Sequence, residues 1–153
     1  MAVKQLIEGS VEIAAPPEKV WALVSDLRRM SEWSPQVLKQ IVLGRSVKHG
    51  TRTFNINGQG KLRWPTTAKV VEFEPNKKLA FKIVENRSVW TYELEPTAAG
   101  TLLTESRTIP NGTTKFSDVS VDKGLGGAET FEASLSVGIS TTLERIKAAA
   151  EAA

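Results

Sequence analysis

The chain has 153 residues, 41% hydrophobic and 24% charged, with no cysteine and a net charge of +3. That size suits one folded domain over residues 1–153, with room for a core and a cavity beside it. The absence of cysteine excludes disulfides, thiolate nucleophiles and cysteine metal sites, and no apolar run approaches the roughly 18 residues of a membrane span.

Met1 to Gln5 leads straight into a strand pattern, without a charged segment followed by an apolar one. This predicts no signal peptide and a cytoplasmic protein, so the sequons at Asn86 and Asn111 carry no weight. Lys4 to Ala14 reads as a strand, with Val11 and Ile13 alternating against Glu12. Pro16 and Pro17 stop it and open a helix, because proline is tolerated in a first helical turn. Val20, Leu23, Val24 and Leu27 recur at helical spacing, and Arg28 to Trp33 reads as a second short helical piece ended by Pro35.

From Val37 to Pro110 the pattern is strand and turn. Strands are expected at Val37–Leu43, Thr51–Ile56, Leu62–Phe73, Lys78–Val84, Val89–Leu94 and Thr101–Ile109. Turns fall at Asn57 to Gly60, Glu74 to Lys77, Glu85–Asn86 and Pro96 to Gly100. A bulge is expected near Pro65, since proline cannot donate to a ladder. Gly126 to Ala150 is one long helix, about 37 Å at 1.5 Å per residue. Its wide apolar stripe carries Ala128, Phe131, Leu135, Gly138, Ile139, Thr142, Leu143 and Ile146, with Val137 out of register. Glu129 and Glu132 suit the positive end of its dipole, and the glycines at 124–127 let the chain swing into place. Tightly joined strands are antiparallel, so the fold class is α+β: seven strands, two short helices after the first, and a long final helix on the sheet.

Few residues offer catalytic chemistry. Lys39, Arg45, Lys48, Arg52, Lys61 and the basic residues after them are spread singly over successive strands, as on a solvated sheet surface. No nucleic-acid motif accompanies them, so no nucleic-acid partner is expected. His49, the only histidine, falls in a turn, which excludes a zinc site and leaves Ser-His-Asp without its base. No metal or cofactor is expected, and the glycine runs lack a phosphate-loop ending.

Val11 to Trp21 (VEIAAPPEKVW), Ser25-Asp-Leu27, Ser31 to Pro35 (SEWSP), Val70 to Pro75 (VVEFEP), Leu79-Ala-Phe81, Trp90 to Pro96 (WTYELEP) and Gly100 to Glu105 (GTLLTE) carry a further signal. Across essentially the whole chain they resemble the START/Bet v 1-like (SRPBCC) superfamily, and within it the bacterial polyketide cyclase/dehydrase and lipid transport family. The resemblance implies a helix-grip fold, with a curved sheet around the final helix and a hydrophobic ligand between them. It specifies fold better than chemistry, because only some members are enzymes.

Alternation nominates the residues that would line such a cavity: Phe54 and Ile56, Trp64, Phe81, Trp90 with Tyr92, and Phe131, Leu135, Ile139 and Thr142 from the helix. The alternative is that they pack together as core. Gly138 among them leaves room that a larger residue would fill. Trp33 is either a wall at the cavity mouth or a plug under the small helices. On the last strand Leu103, Glu105, Arg107 and Ile109 share a face. If it points inward, Glu105 and Arg107 enter the cavity about 7 Å apart; in the other register they are surface charges. Tyr92, the only tyrosine, adds a hydroxyl at the cavity or caps the core rim.

The leading expectation is a carrier or sensor of a small hydrophobic, lipid-like or polycyclic molecule. One alternative is a metal-free cyclase or dehydratase using Glu105, Arg107 and Tyr92. Another is a regulator or toxin-like protein that contacts protein or nucleic acid. An open sheet edge allows a monomer or a homodimer.

Overall fold

Short turns between strands of alternating burial force neighbours in sequence to pair, and the chain folds as a meander. The computed structural model describes residues 6–109 and 128–152, with the side chains of 128–132 excepted. The strands are β1 (Leu6–Ile13), β2 (Val37–Leu43), β3 (Arg52–Gln59), β4 (Leu62–Glu74), β5 (Lys78–Ile83), β6 (Val89–Pro96) and β7 (Thr101–Thr108). The helices are α1 (Pro17–Val24), α2 (Met30–Trp33) and α3 (Ala128–Glu151), with a 3-10 turn at Leu27–Arg29 before α2. The sheet order is β1-β7-β6-β5-β4-β3-β2, and every pairing is antiparallel. This is the α+β helix-grip arrangement expected from the sequence. Among the described residues, no helix is long and apolar enough to cross a membrane.

The inner face of α3 follows the predicted stripe. Leu135, Gly138, Ile139, Thr142, Leu143 and Ile146 are buried, while Val137 is 67% exposed. The side chains of Ala128, Phe131, Glu129 and Glu132, the glycines at 124–127 and Asn111 lie outside the described residues. α3 packs chiefly on β1, and also on α1, α2 and β7. Its close approach is possible because Gly9 has no side chain: a Cβ there would lie 3.2 Å from Ile139 Cγ2. The helix end is fastened to the β1–α1 corner, where the Ala14 N–H donates to Glu151 Oε2 at 2.8 Å and Lys147 Nζ donates to the Glu12 carbonyl at 2.9 Å.

Two local expectations are corrected. The β3–β4 turn is shorter than predicted, because Asn57, Gly58 and Gln59 continue β3 and pair with Trp64, Arg63 and Leu62. Pro65 makes no bulge and pairs in register with Ile56. β5 ends at Ile83, opposite Ala68, so at Pro65 strand β4 has a ladder neighbour only on its β3 side and no N–H is required on the other. The register shifts lie elsewhere, at Val70/Glu72 and Val37/Lys39.

Two glycines separate helix propensity from steric need. A Cβ at Gly138 would meet only Pro35 Cγ, at 3.8 Å, so the space beside it opens toward Pro35. Gly138→Ala is expected to raise unfolding free energy by about 0.5–1 kcal/mol, because glycine is a poor helix former. Gly100 has φ +151°, and a Cβ there would collide with the Ile13 carbonyl and the Ala15 backbone. Gly100→Ala should lower stability by about 2 kcal/mol or more. Urea denaturation of both variants checks these opposite signs.

Candidate functional site

Cross-strand pairing assembles the concave face in rows. Leu79, Tyr92, Glu105 and Gly9 form one row across β5, β6, β7 and β1. Phe81, Trp90, Arg107 and Ile7 form the next. Gln40, Asn55 and Thr66 form a third across β2, β3 and β4. Members of these rows and parts of α2 and α3 border a partly open cavity of about 110 Å³. Its β5–β7 wall carries Phe81, Trp90, Tyr92, Glu105 and Arg107; its β2–β4 wall carries Gln40, Asn55, Asn57, Trp64 and Thr66; Met30 and Leu135 close it from the helices.

The phase of β7 turns its charges inward. Leu103, Glu105 and Arg107 are buried while Thr104, Ser106 and Thr108 are partly exposed. Glu105 is 3% exposed. Its Oε2 accepts a hydrogen bond from the Tyr92 hydroxyl at 2.9 Å, and that hydroxyl also lies 3.6 Å from Met30 Sδ. Its Oε1 has no hydrogen-bond partner among the described residues. Burial pushes the Glu105 carboxyl up to about 8, while the Tyr92 hydrogen bond acts in the opposite sense. The Tyr92 phenol is raised well above its ordinary value, first by burial and then by the neighbouring Glu105. Trp90 Nε1 donates to Ser88 Oγ at 3.2 Å, and Ser88 Oγ donates to Asn86 Oδ1 at 2.6 Å, which orders the rim of this wall.

The opposite wall differs from the sequence expectation. Phe54 and Ile56 do not line the cavity: Phe54 is 39% exposed and pairs with Ile41 on the other face of the sheet. Thr53, Asn55 and Asn57 point inward instead. Apolar and polar residues alternate cleanly along β3, so one strand's pattern fits either phase. Pairing with β2 and β4 sets it, placing Thr53 between Val42 and Ala68 and Asn55 between Gln40 and Thr66. Asn55 and Asn57 were therefore missed, and the only available signal was the polar half of that alternation; Gln40, Thr66, Ser88 and Met30 also line the cavity and were not nominated.

The remaining nominated residues divide between cavity and core. Trp64, Phe81, Trp90, Tyr92, Glu105, Arg107 and Leu135 come together around the cavity. Leu103, Ile139 and Thr142 are buried in the packing beyond it, and the Thr142 hydroxyl donates to the Gly138 carbonyl at 2.8 Å. Trp33 is a buried plug under the small helices, with the Arg29 guanidinium 4.9 Å from its ring centroid. Phe131 lies outside the described residues. His49 borders a shallow surface groove at the β2–β3 connection, away from the cavity. Among the described residues there is no cluster of three or more His, Asp or Glu side chains that could hold a metal ion.

Glu105 has a consequence for stability. A carboxyl titrating near 8 when folded and near 4.5 when unfolded holds more protons in the folded state between those values. Its contribution to stability is fully present below the unfolded value and falls as pH rises toward 8. Glu105→Gln removes this slope, so the stability of the variant relative to wild type should climb between pH 5 and 8, by up to about 1.4 kcal/mol per pH unit. Denaturant titrations at several pH values measure it. Parallel curves for the two proteins would mean an ordinary carboxylate.

Comparison with known proteins agrees with this fold. A family profile described as polyketide cyclase/dehydrase and lipid transport matches residues 4–151. The chain is 31% identical to a polyketide-cyclase-like protein of Corynebacterium glutamicum, with a TM-score of 0.65 over 94% of this chain and 90% of that one. The Zhui aromatase/cyclase from a Streptomyces species shares the fold at 18% identity, with a TM-score of 0.78 over 96% of this chain and 93% of that one. A di-domain aromatase/cyclase of the steffimycin pathway does so at 17% identity and a TM-score of 0.74, over 95% of this chain and 50% of that one. A search of curated proteins finds no match. Family profile, sequence identity and fold together show that this chain belongs to the polyketide cyclase/dehydrase and lipid transport family.

Proposed function

We propose that the protein binds a small, largely apolar molecule bearing an oxygen function, and serves as its carrier or sensor. The observation that carries this reading is Glu105. A carboxyl that is 3% exposed, held by Tyr92 on one oxygen and without a hydrogen-bond partner among the described residues on the other, stands in the wall of a cavity. Leaving a buried polar atom unpaired is costly, and a ligand oxygen or hydroxyl at Oε1 removes that cost. Phe81, Trp64 and Trp90 supply the apolar body of the site, the usual make-up of small-molecule pockets. A cavity of about 110 Å³ is smaller than the void of about 150 Å³ that accommodates benzene, which limits the enclosed part of a ligand to about one ring or a short chain segment.

A second reading has its own support in the Glu105 carboxyl at about 8, which exchanges its proton near neutral pH, and in the family's cyclases. As carboxylate, Glu105 would remove the proton α to the carbonyl of a β-hydroxy ketone. The protonated acid would then return that proton to the departing hydroxyl, releasing water and an enone. Tyr92 would hold Glu105 Oε2, and Arg107 would stabilise the enolate oxygen.

Native mass spectrometry of protein purified from its host, followed by extraction, tests binding directly. So does quenching of tryptophan emission by acetophenone, because Trp64 and Trp90 line the cavity. A bound apolar molecule near one equivalent, or saturable quenching, is the expected result. Glu105→Leu should weaken acetophenone about tenfold while leaving toluene unchanged. A clean apo mass with no response to either probe would overturn the binding reading. For the enzymatic reading, β-hydroxy ketone turnover should rise with pH toward about 8 and vanish in Glu105→Gln.

A further inference from the structure

The wall of the cavity opposite Glu105 has its own polar logic. Gln40 on β2 is 7% exposed and lines the cavity. In the structure its amide nitrogen faces Thr53 and its amide oxygen faces the cavity. The Thr53 hydroxyl has one hydrogen, which it donates to Asn55 Oδ1 at 2.9 Å. Thr53 Oγ1 is therefore an acceptor toward Gln40, and Gln40 Nε2 donates to it at 3.3 Å. Asn55 Nδ2 donates in turn to Thr66 Oγ1, at 3.2 Å. Asn57 Nδ2 donates to the same oxygen at 2.9 Å. These bonds run in one direction across β2, β3 and β4. They leave Gln40 Oε1 as a buried acceptor with no hydrogen-bond partner among the described residues.

One cavity therefore has, in each of two walls, an oxygen unpaired among the described residues, Gln40 Oε1 on β2 and Glu105 Oε1 on β7. An amide oxygen accepts only, so its missing partner must be a donor. We propose that Gln40 is the second polar anchor of the cavity, and that the occupant is a one-ring-sized molecule that donates a hydrogen bond to Gln40 while a carbonyl meets Glu105. This rests on the binding reading and narrows it to hydroxy-carbonyl compounds, for which hydroxylated aryl ketones are convenient probes. A plain hydrocarbon chain would leave both oxygens unpaired. The carboxyl form of Glu105, favoured by its burial, supplies the hydrogen that the ligand carbonyl accepts.

Acetophenone, its ring-hydroxylated isomers and the matching methyl isomers, titrated into wild type and Gln40→Met, test the assignment by tryptophan quenching. Methyl replaces hydroxyl at similar size without a donor, and Met replaces Gln at similar length without a carbonyl. One hydroxy isomer should bind wild type at least about tenfold tighter than acetophenone and than its methyl counterpart. In Gln40→Met that preference should disappear while acetophenone binds as before, with the melting temperature reporting that the variant is folded. If Gln40→Met does not fold, the hydroxy-against-methyl comparison in wild type decides alone. Hydroxy isomers that bind no better than acetophenone, or a preference that survives in folded Gln40→Met, would overturn the Gln40 anchor and leave the binding reading standing. Failure of every probe to bind wild type would remove both.

Discussion

At Gly9, β1 presents no side chain to α3, and the helix settles so close that a Cβ there would lie 3.2 Å from Ile139 Cγ2. The rest of the architecture follows from that approach. A single helix cannot lie equally close to all seven strands of a twisted sheet, and here it is committed to the β1–β7 end. The Glu151 and Lys147 contacts to the β1–α1 corner hold it there. Toward β2 to β4 the sheet meets α2 more than α3, and the cavity forms between the two.

The same glycine bears on the chemistry. Gly9 is the cross-strand partner of Glu105, so β1 brings no side chain alongside that carboxyl. Tyr92, its partner on the other side, contributes one hydroxyl and a large apolar ring. The carboxyl is thus deprived of water while receiving a single described hydrogen bond, and desolvation raises its pKa. A surface glutamate at this position would be a weak acid–base group at neutral pH. Burial makes it a proton-exchanging one.

The two walls of the cavity reach polarity by different routes. On the β5–β7 side, short hydrogen-bonded pairs such as Tyr92 with Glu105 and Trp90 with Ser88 stand among aromatic rings. On the β2–β4 side, the polar groups are linked by a chain of side-chain hydrogen bonds from Gln40 through Thr53 and Asn55 to Thr66. Its members are coupled, because reversing one amide alone would leave the next contact with two donors or two acceptors.

The sequence by itself determined the elements, their order and the helix stripe, because turn residues and hydrophobic periodicity are local properties. It also determined that Glu105 and Arg107 share a strand face, and that Val137 falls outside the buried stripe of α3. It could not determine which face was inner. Strand alternation has a period of two and either phase satisfies it, so β7 remained ambiguous and β3 was assigned the wrong way, with Phe54 and Ile56 inward. Only pairing with β2 and β4 decided that Asn55 and Asn57 face the cavity. Whether Trp33 walled the cavity or plugged the small helices, and whether Pro65 needed a bulge, were likewise set by elements distant in the chain. Tertiary structure also decided the burial of Glu105, since desolvation depends on everything packed around a group and not on its neighbours in sequence.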